Sequence, residues 1–200
     1  MKKRDFLQTA MTGATVIAGA TALTAHAQNG PKSSAGPILL TVSGLIGAGN
    51  RGALDPALDQ MMVKQKLGFS KAHTFDFAAL TAMPAVTIKP TLEYDNKQHM
   101  LSGPLLMDVM KASGVKVTDK TSLLLRAVDG YAVLIAVPEV TKRRFIVATH
   151  LDGRPMTLGG LGPLWTVYDA DKFPDMVAKP VTERFSLCPW ATYHVEVKDS

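Results

Sequence analysis

Apolar residues in this chain come in short bursts, each bounded by Gly, Pro or an Asp-Gly pair. Pro37 to Ile46 carries Ile, Leu, Val and Thr around a glycine break and predicts a strand. Gly47 to Gly52 predicts a loop, and Asp55-Pro56 opens a short helix through Gln65, with Pro where a missing N–H does no harm. Asp76 to Leu80 reads as a helical turn ended by Pro84, and Ala85 to Tyr94 returns to extended structure. The clearest helix runs from Leu105 to Ser113: Leu105, Leu106, Val109 and Met110 share one face, and Gly114 stops it. Beyond it the pattern is mostly strand. Thr121 to Val128 and Tyr131 to Val137 flank Asp129-Gly130, while Phe145 to Leu151 leads into Asp152-Gly153; both pairs suit tight hairpin turns. Leu164 to Tyr168 and Tyr193 to Val197 are further strands. The pattern predicts one mixed α+β domain over residues 37–200, with a β-rich second half and a few short helices.

A different pattern precedes it. Lys2, Lys3 and Arg4 lead into a weakly apolar run from Thr9 to Thr24, and Ala25-His26-Ala27 gives the small-x-small motif read by signal peptidase. Residues 1–27 are expected to be a signal peptide and residues 28–36 a flexible lead-in. Lys3-Arg4-Asp5-Phe6-Leu7-Gln8 resembles the twin-arginine export motif, with Lys in place of the first Arg. The run is too short and polar to hold a bilayer, and no later stretch is apolar for long enough. The expected setting is the periplasm or the medium, with no membrane span after cleavage.

Charge adds little. The formal net charge is +5, part of it on Lys2, Lys3 and Arg4, and the basic residues form no stripe. The one cluster, Lys142-Arg143-Arg144, reads as a solvated strand end, so no nucleic-acid partner is expected. The single cysteine, Cys188, makes no internal disulfide and no zinc site, and its apolar setting reads as buried filler.

Few motifs carry chemistry. Gly47-Ala-Gly-Asn-Arg-Gly52 matches the dinucleotide fingerprint in spelling, but Asp55-Pro56 interrupts the helix it requires, leaving an irregular Gly-rich loop. There is no serine-nucleophile elbow, HExxH, CxxC, P-loop or Ca²⁺ loop, and His73, His99, His150 and His194 stand far apart. Gly159-Gly-Leu-Gly-Pro-Leu-Trp165 predicts a backbone that something can approach closely, with Trp165 either lining that approach or filling the core.

Taken together, these segments resemble the oxidoreductase molybdopterin-binding domain, the sulfite-oxidase-like fold, in its small exported bacterial form. The matching pieces are Leu40-Thr-Val-Ser-Gly44, Phe75-Asp-Phe-Ala-Ala-Leu80, Gly103-Pro-Leu-Leu-Met-Asp-Val109, Asp129-Gly-Tyr131, Ala148 to Met156, Gly162 to Tyr168 and the tail from Trp190 to Val197. An extra segment, Ala53 to Ser70, interrupts the likeness. The resemblance implies an α+β fold, a periplasmic setting and a molybdenum–pterin cofactor. Its catalytic members hold the metal through a cysteine thiolate shortly after the strand that here reads Val86 to Tyr94, and this stretch has none. Neither Thr91 nor Glu93 replaces a soft thiolate. The His and Arg usual around the late glycine-proline loop are absent too.

Two readings follow. In the first, an exported oxidoreductase binds molybdopterin through the dithiolene alone and acts on a small substrate with a periplasmic electron-transfer partner. Lys89, Arg126, Arg143 and Arg144 would then anchor phosphate and pterin, Thr91 and Tyr94 would occupy the metal-ligand segment, and Gly162 and Trp165 the late loop. In the second, a non-catalytic domain keeps the scaffold, has lost the metal, and binds a small ligand or another periplasmic protein.

Overall fold

The computed structural model describes residues 36–199, so the segment expected to be a signal peptide lies outside the described residues. Strand β1 (Ile38–Gly44) leads to helix α1 (Gln60–Lys64), strand β2 (Ala72–Asp76) and helix α2 (Phe77–Thr81). Strands β3 (Ala85–Ile88) and β4 (Leu101–Pro104) precede helix α3 (Leu106–Ala112). Next come β5 (Thr121–Ala127), β6 (Ala132–Ala136), helix α4 (Val137–Arg143), β7 (Ile146–Ala148), β8 (His150–Leu151) and β9 (Arg154–Pro155). Strand β10 (Trp165–Val167), helix α5 (Pro174–Val177) and β11 (Thr192–Asp199) complete the order. The fold is α+β and mainly sheet, and among the described residues no helix is long and apolar enough to cross a membrane.

Five strands form the main sheet in the order β2-β1-β11-β5-β6. Its neighbours are antiparallel except at the centre, where β1 runs parallel to β11 with Thr41 beside His194. Alternation decides the faces: Leu40, Val42, Leu123, Leu125, Val195 and Val197 are fully or almost fully buried and point into one core. A second sheet, β3-β4-β8-β9, and the pair β7-β10 supply the opposing strands. Helix α3 adds Leu106, Val109 and Met110. It ends at Gly114, whose φ of +73° suits glycine, and a Cβ there would lie 2.9 Å from the Cα of Gly47.

Both hairpin turns form as the Asp-Gly pairs predict. Asp129 Oδ1 accepts from the Tyr131 N–H at 2.8 Å beside Gly130 at φ 94°, and Asp152 and Gly153 take φ of 49° and 77° between β8 and β9. Three expectations change. The helix predicted from Asp55 is confined to Gln60–Lys64, because the Asp55 carboxylate accepts from Ala57 and Leu58 N–H and turns the chain first. The extended run expected from Ala85 to Tyr94 keeps only β3 as strand, since the chain folds back into a turn closed by Asn96 N–H to Leu92 O at 3.0 Å. Lys142 and Arg143 end helix α4 rather than a strand, and Arg144 caps it in the left-handed region at φ 54°.

The extra segment closes over the outer face of the main sheet. The Phe69 ring stacks on His194 at 6.3 Å between centroids. Gln65 donates to the carbonyls of Ala127 and Val128 and accepts from the Tyr193 hydroxyl at 2.8 Å. A register shift of β11 against β5 between Thr192 and His194 leaves Tyr193 the extra residue there. Under this cover the His194 imidazole is 1% exposed, with Nε2 3.0 Å from Ser43 Oγ. Burial, aided by the charge of Arg126, lowers its pKa to about 3.

Candidate functional site

Three segments that are remote in sequence border a solvent-open cavity of about 300 Å³. The loop after β3 contributes Glu93 and Tyr94, the β5–β6 turn Asp129 and Tyr131, and the stretch before β11 Phe185 and Trp190.

Each wall is held from behind. Thr91 donates both its N–H and its hydroxyl to Asp171 Oδ2 at 2.8 Å, Asp171 in turn pairs with Arg184 at 3.1 Å, and the next residue, Leu92, is buried in the core. Beyond this anchor, half-buried Glu93 and exposed Tyr94 border the cavity. Tyr131 reaches across and donates its hydroxyl to Ser186 O at 2.5 Å, tying the hairpin tip to the third segment. That segment is braced by Cys188 N–H to Phe185 O at 2.8 Å and by the Trp165 indole N–H to Cys188 O at 2.9 Å. The rings of Tyr94, Tyr131 and Trp190 remain 55%, 47% and 39% exposed.

The electrostatics run one way. Glu93 and Asp129 line the cavity, and among the described residues no Lys, Arg or His does. Glu93 forms no salt bridge with any described residue. Partial burial and then the Glu93 carboxylate push the Tyr94 phenol up to about 12, so it stays protonated at neutral pH. The Cys188 thiol also borders the cavity, but burial raises its pKa far above the usual thiol range, which leaves it an inert thiol.

The residues proposed from sequence as cofactor contacts scatter. Only Tyr94 lines this cavity. Thr91 is committed to Asp171, and exposed Lys89 sits beyond β3 with its backbone N–H on Asp169. Arg126 lies on β5, 3.5 Å from Glu196. Arg143 is buried within helix α4, bonded to Glu139 and, at 2.7 Å, to Asp175, with its guanidinium over the Tyr168 and Phe173 rings. Arg144 is exposed at the helix end. Gly162 is buried where a Cβ would come within 2.4 Å of Met156 Cβ, and Trp165 is fully buried as core, its ring tilted against Phe185 at 5.8 Å between centroids. Arg143 and Trp165 thus sit as packing residues, and for Trp165 this is the core-filling alternative that the sequence left open.

A molybdenum–pterin cofactor does not suit this donor set. Its metal is held best by a soft protein ligand beside the dithiolene, and its phosphate by cations. The only thiol is buried and protonated, Arg126 and Arg143 are internally paired, Lys89 lies in a separate cleft with Lys172, and the cavity carries two carboxylates. Among the described residues no group of three His, Cys, Asp or Glu side chains is arranged to hold a metal ion.

Sequence reasoning missed Glu93, Asp129, Tyr131 and Trp190 as one group. Asp129 was fully accounted for by its turn, and nothing in linear spacing joins a β3 loop to a hairpin tip.

A comparison with protein-family profiles finds no match, and one with curated protein sequences finds none. Among solved structures, the fold is similar to a chain of the sulfane dehydrogenase SoxCD from Paracoccus pantotrophus, with a TM-score of 0.52 and 12% sequence identity. The likeness covers 80% of this chain and 38% of that one, so this chain spans well under half of its neighbour's length. It establishes a distant relationship of fold.

Proposed function

We propose that this protein is a ligand-binding domain on a sulfite-oxidase-like scaffold rather than a molybdopterin-dependent oxidoreductase. The observation that carries this reading is the cavity bounded by Glu93, Tyr94, Tyr131 and Trp190. It is concave, aromatic, acidic and braced from behind, and no cationic side chain among the described residues lines it. Such a site suits a small molecule, while Arg126 and Arg143 are paired with carboxylates and Lys89 and Arg144 lie outside the cavity lining. The distant likeness to a sulfane dehydrogenase supports a shared scaffold, and a scaffold hosts many functions.

The N-terminal pattern supports a periplasmic or secreted setting; recovery of the intact chain from the cytoplasm alone would overturn that part. The test of function is metal and pterin content of protein purified from a host that makes molybdopterin. The expected result is folded protein with neither molybdenum nor extractable pterin, and no visible absorption. Near-stoichiometric molybdenum with pterin would overturn the reading in favour of an oxidoreductase with cysteine-free ligation.

A further inference from the structure

We infer that the cavity binds a small organic cation of the quaternary-ammonium class, with Glu93 as its counter-charge and the Tyr94, Tyr131 and Trp190 rings as its walls. The inference rests on the ligand-binding reading above and names the chemistry of the ligand.

Charge selects the sign. The half-buried Glu93 carboxylate has the Tyr94 phenol as a hydrogen-bond neighbour but no salt-bridge partner among the described residues, so its negative charge is left without a counter-ion. Asp129 adds a second negative charge at the rim. An anion entering here would meet two carboxylates and no cation among the described residues.

The walls select the kind of cation. A metal ion gives up strongly held water and needs several oxygen ligands in a defined shell, and no such group is present among the described residues. A primary ammonium needs about three acceptors for its three donors. Here Tyr131 engages the Ser186 carbonyl and Asp129 Oδ1, which leaves Glu93 and Asp129 Oδ2 as the charged acceptors for such a group. A quaternary ammonium has no donors to satisfy, is weakly hydrated, and is attracted by the faces of aromatic rings. Three partly exposed rings around one carboxylate supply that attraction and that charge. The cavity volume of about 300 Å³ lies at the lower end of ligand sites, which fits a head group of choline size.

The fixed posture of the walls argues for a prepared site. Tyr131 is held through its hydroxyl to Ser186, and the Trp190 segment is pinned by the Ala191 N–H to Leu161 O at 3.0 Å. Little ordering is left for the ligand to impose.

The experiment titrates choline and tetramethylammonium into the full-length protein, followed by calorimetry and by tryptophan emission. The neutral isostere 3,3-dimethylbutan-1-ol serves as comparator. Saturable binding of both cations is expected, with the neutral alcohol weaker by roughly tenfold or more. Glu93→Gln should weaken choline by about the same factor, and Trp190→Leu should weaken it and abolish the emission change, with circular dichroism unchanged in both. No saturable binding of either cation by folded protein would overturn the inference, as would equal binding of the neutral alcohol or indifference to Glu93→Gln. If that happens in protein free of molybdenum and pterin, only the ligand assignment falls. Stoichiometric molybdenum and pterin would remove the reading beneath it.

Discussion

The indole N–H of Trp165 donates to the carbonyl oxygen of Cys188 across 2.9 Å, with both residues in the core. This bond joins β10 to the segment that carries Trp190 toward the cavity. Replacing Trp165 by Ala removes a fully buried ring and should cost about 3–5 kcal/mol in urea unfolding. Trp165→Phe keeps most of the ring but strands the Cys188 carbonyl, and should cost about 1–3 kcal/mol. A Trp165→Ala protein as stable as wild type would contradict the packing role.

His99 sits between two carboxylates, Nδ1 2.7 Å from Asp152 and Nε2 3.0 Å from Asp95. Hydrogen bonding to Asp152 and then Asp95 raises its pKa above 6.5, while His99 lowers both carboxyl pKa values. The His99 contribution to stability is therefore full below the unfolded value and is lost as pH rises through the raised folded value. The carboxylate contribution is present above their unfolded values and is lost as pH falls through the lowered ones. Thermal melts should show a maximum between these limits, and His99→Gln should flatten the alkaline side. An imidazole titration by NMR with a midpoint at or below 6.5 would contradict this account.

Arg143 is 6% exposed, paired with Glu139 and Asp175 and packed over two aromatic rings. Arg143→Ala leaves a void, but the carboxylates are partly exposed and rehydrate, so the expected loss is about 3 kcal/mol, at the lower end for a broken buried pair. Choline binding, measured below the unfolding transition, should be unchanged. A variant of native stability that had lost ligand binding would return Arg143 to the role of an anchor.

What the sequence made legible follows from range. The hairpin turns at Asp129-Gly130 and Asp152-Gly153 and helix α3 depend on local backbone preference and one apolar face, and each was readable in place. Helix α4 was not: Val137 and Pro138 look like the end of strand β6, and only tertiary packing of Val137 and Val140 makes them a helix start. Arg143 and Arg144 illustrate the same limit for chemistry. They are adjacent in sequence, yet the helical turn buries the first and exposes the second. Within the cavity, Tyr94 was placed by resemblance, whereas Glu93, Tyr131 and Trp190 became a group only when their loops converged. The extra segment had no readable purpose until Phe69 and Gln65 were seen lying on β11 and beside β5.

The parallel pairing of β1 with β11 has a consequence for biogenesis. The central ladder joins Thr41 to His194, so neither half of the main sheet can zip to the other while the ribosome still holds the distal residues. Until then the nascent chain presents the unpaired β1 edge and the apolar side chains of Leu40 and Val42 to its surroundings. A chaperone that shields that edge during synthesis, or a membrane translocase that threads the chain before closure, would meet a substrate whose final latch is its last described strand.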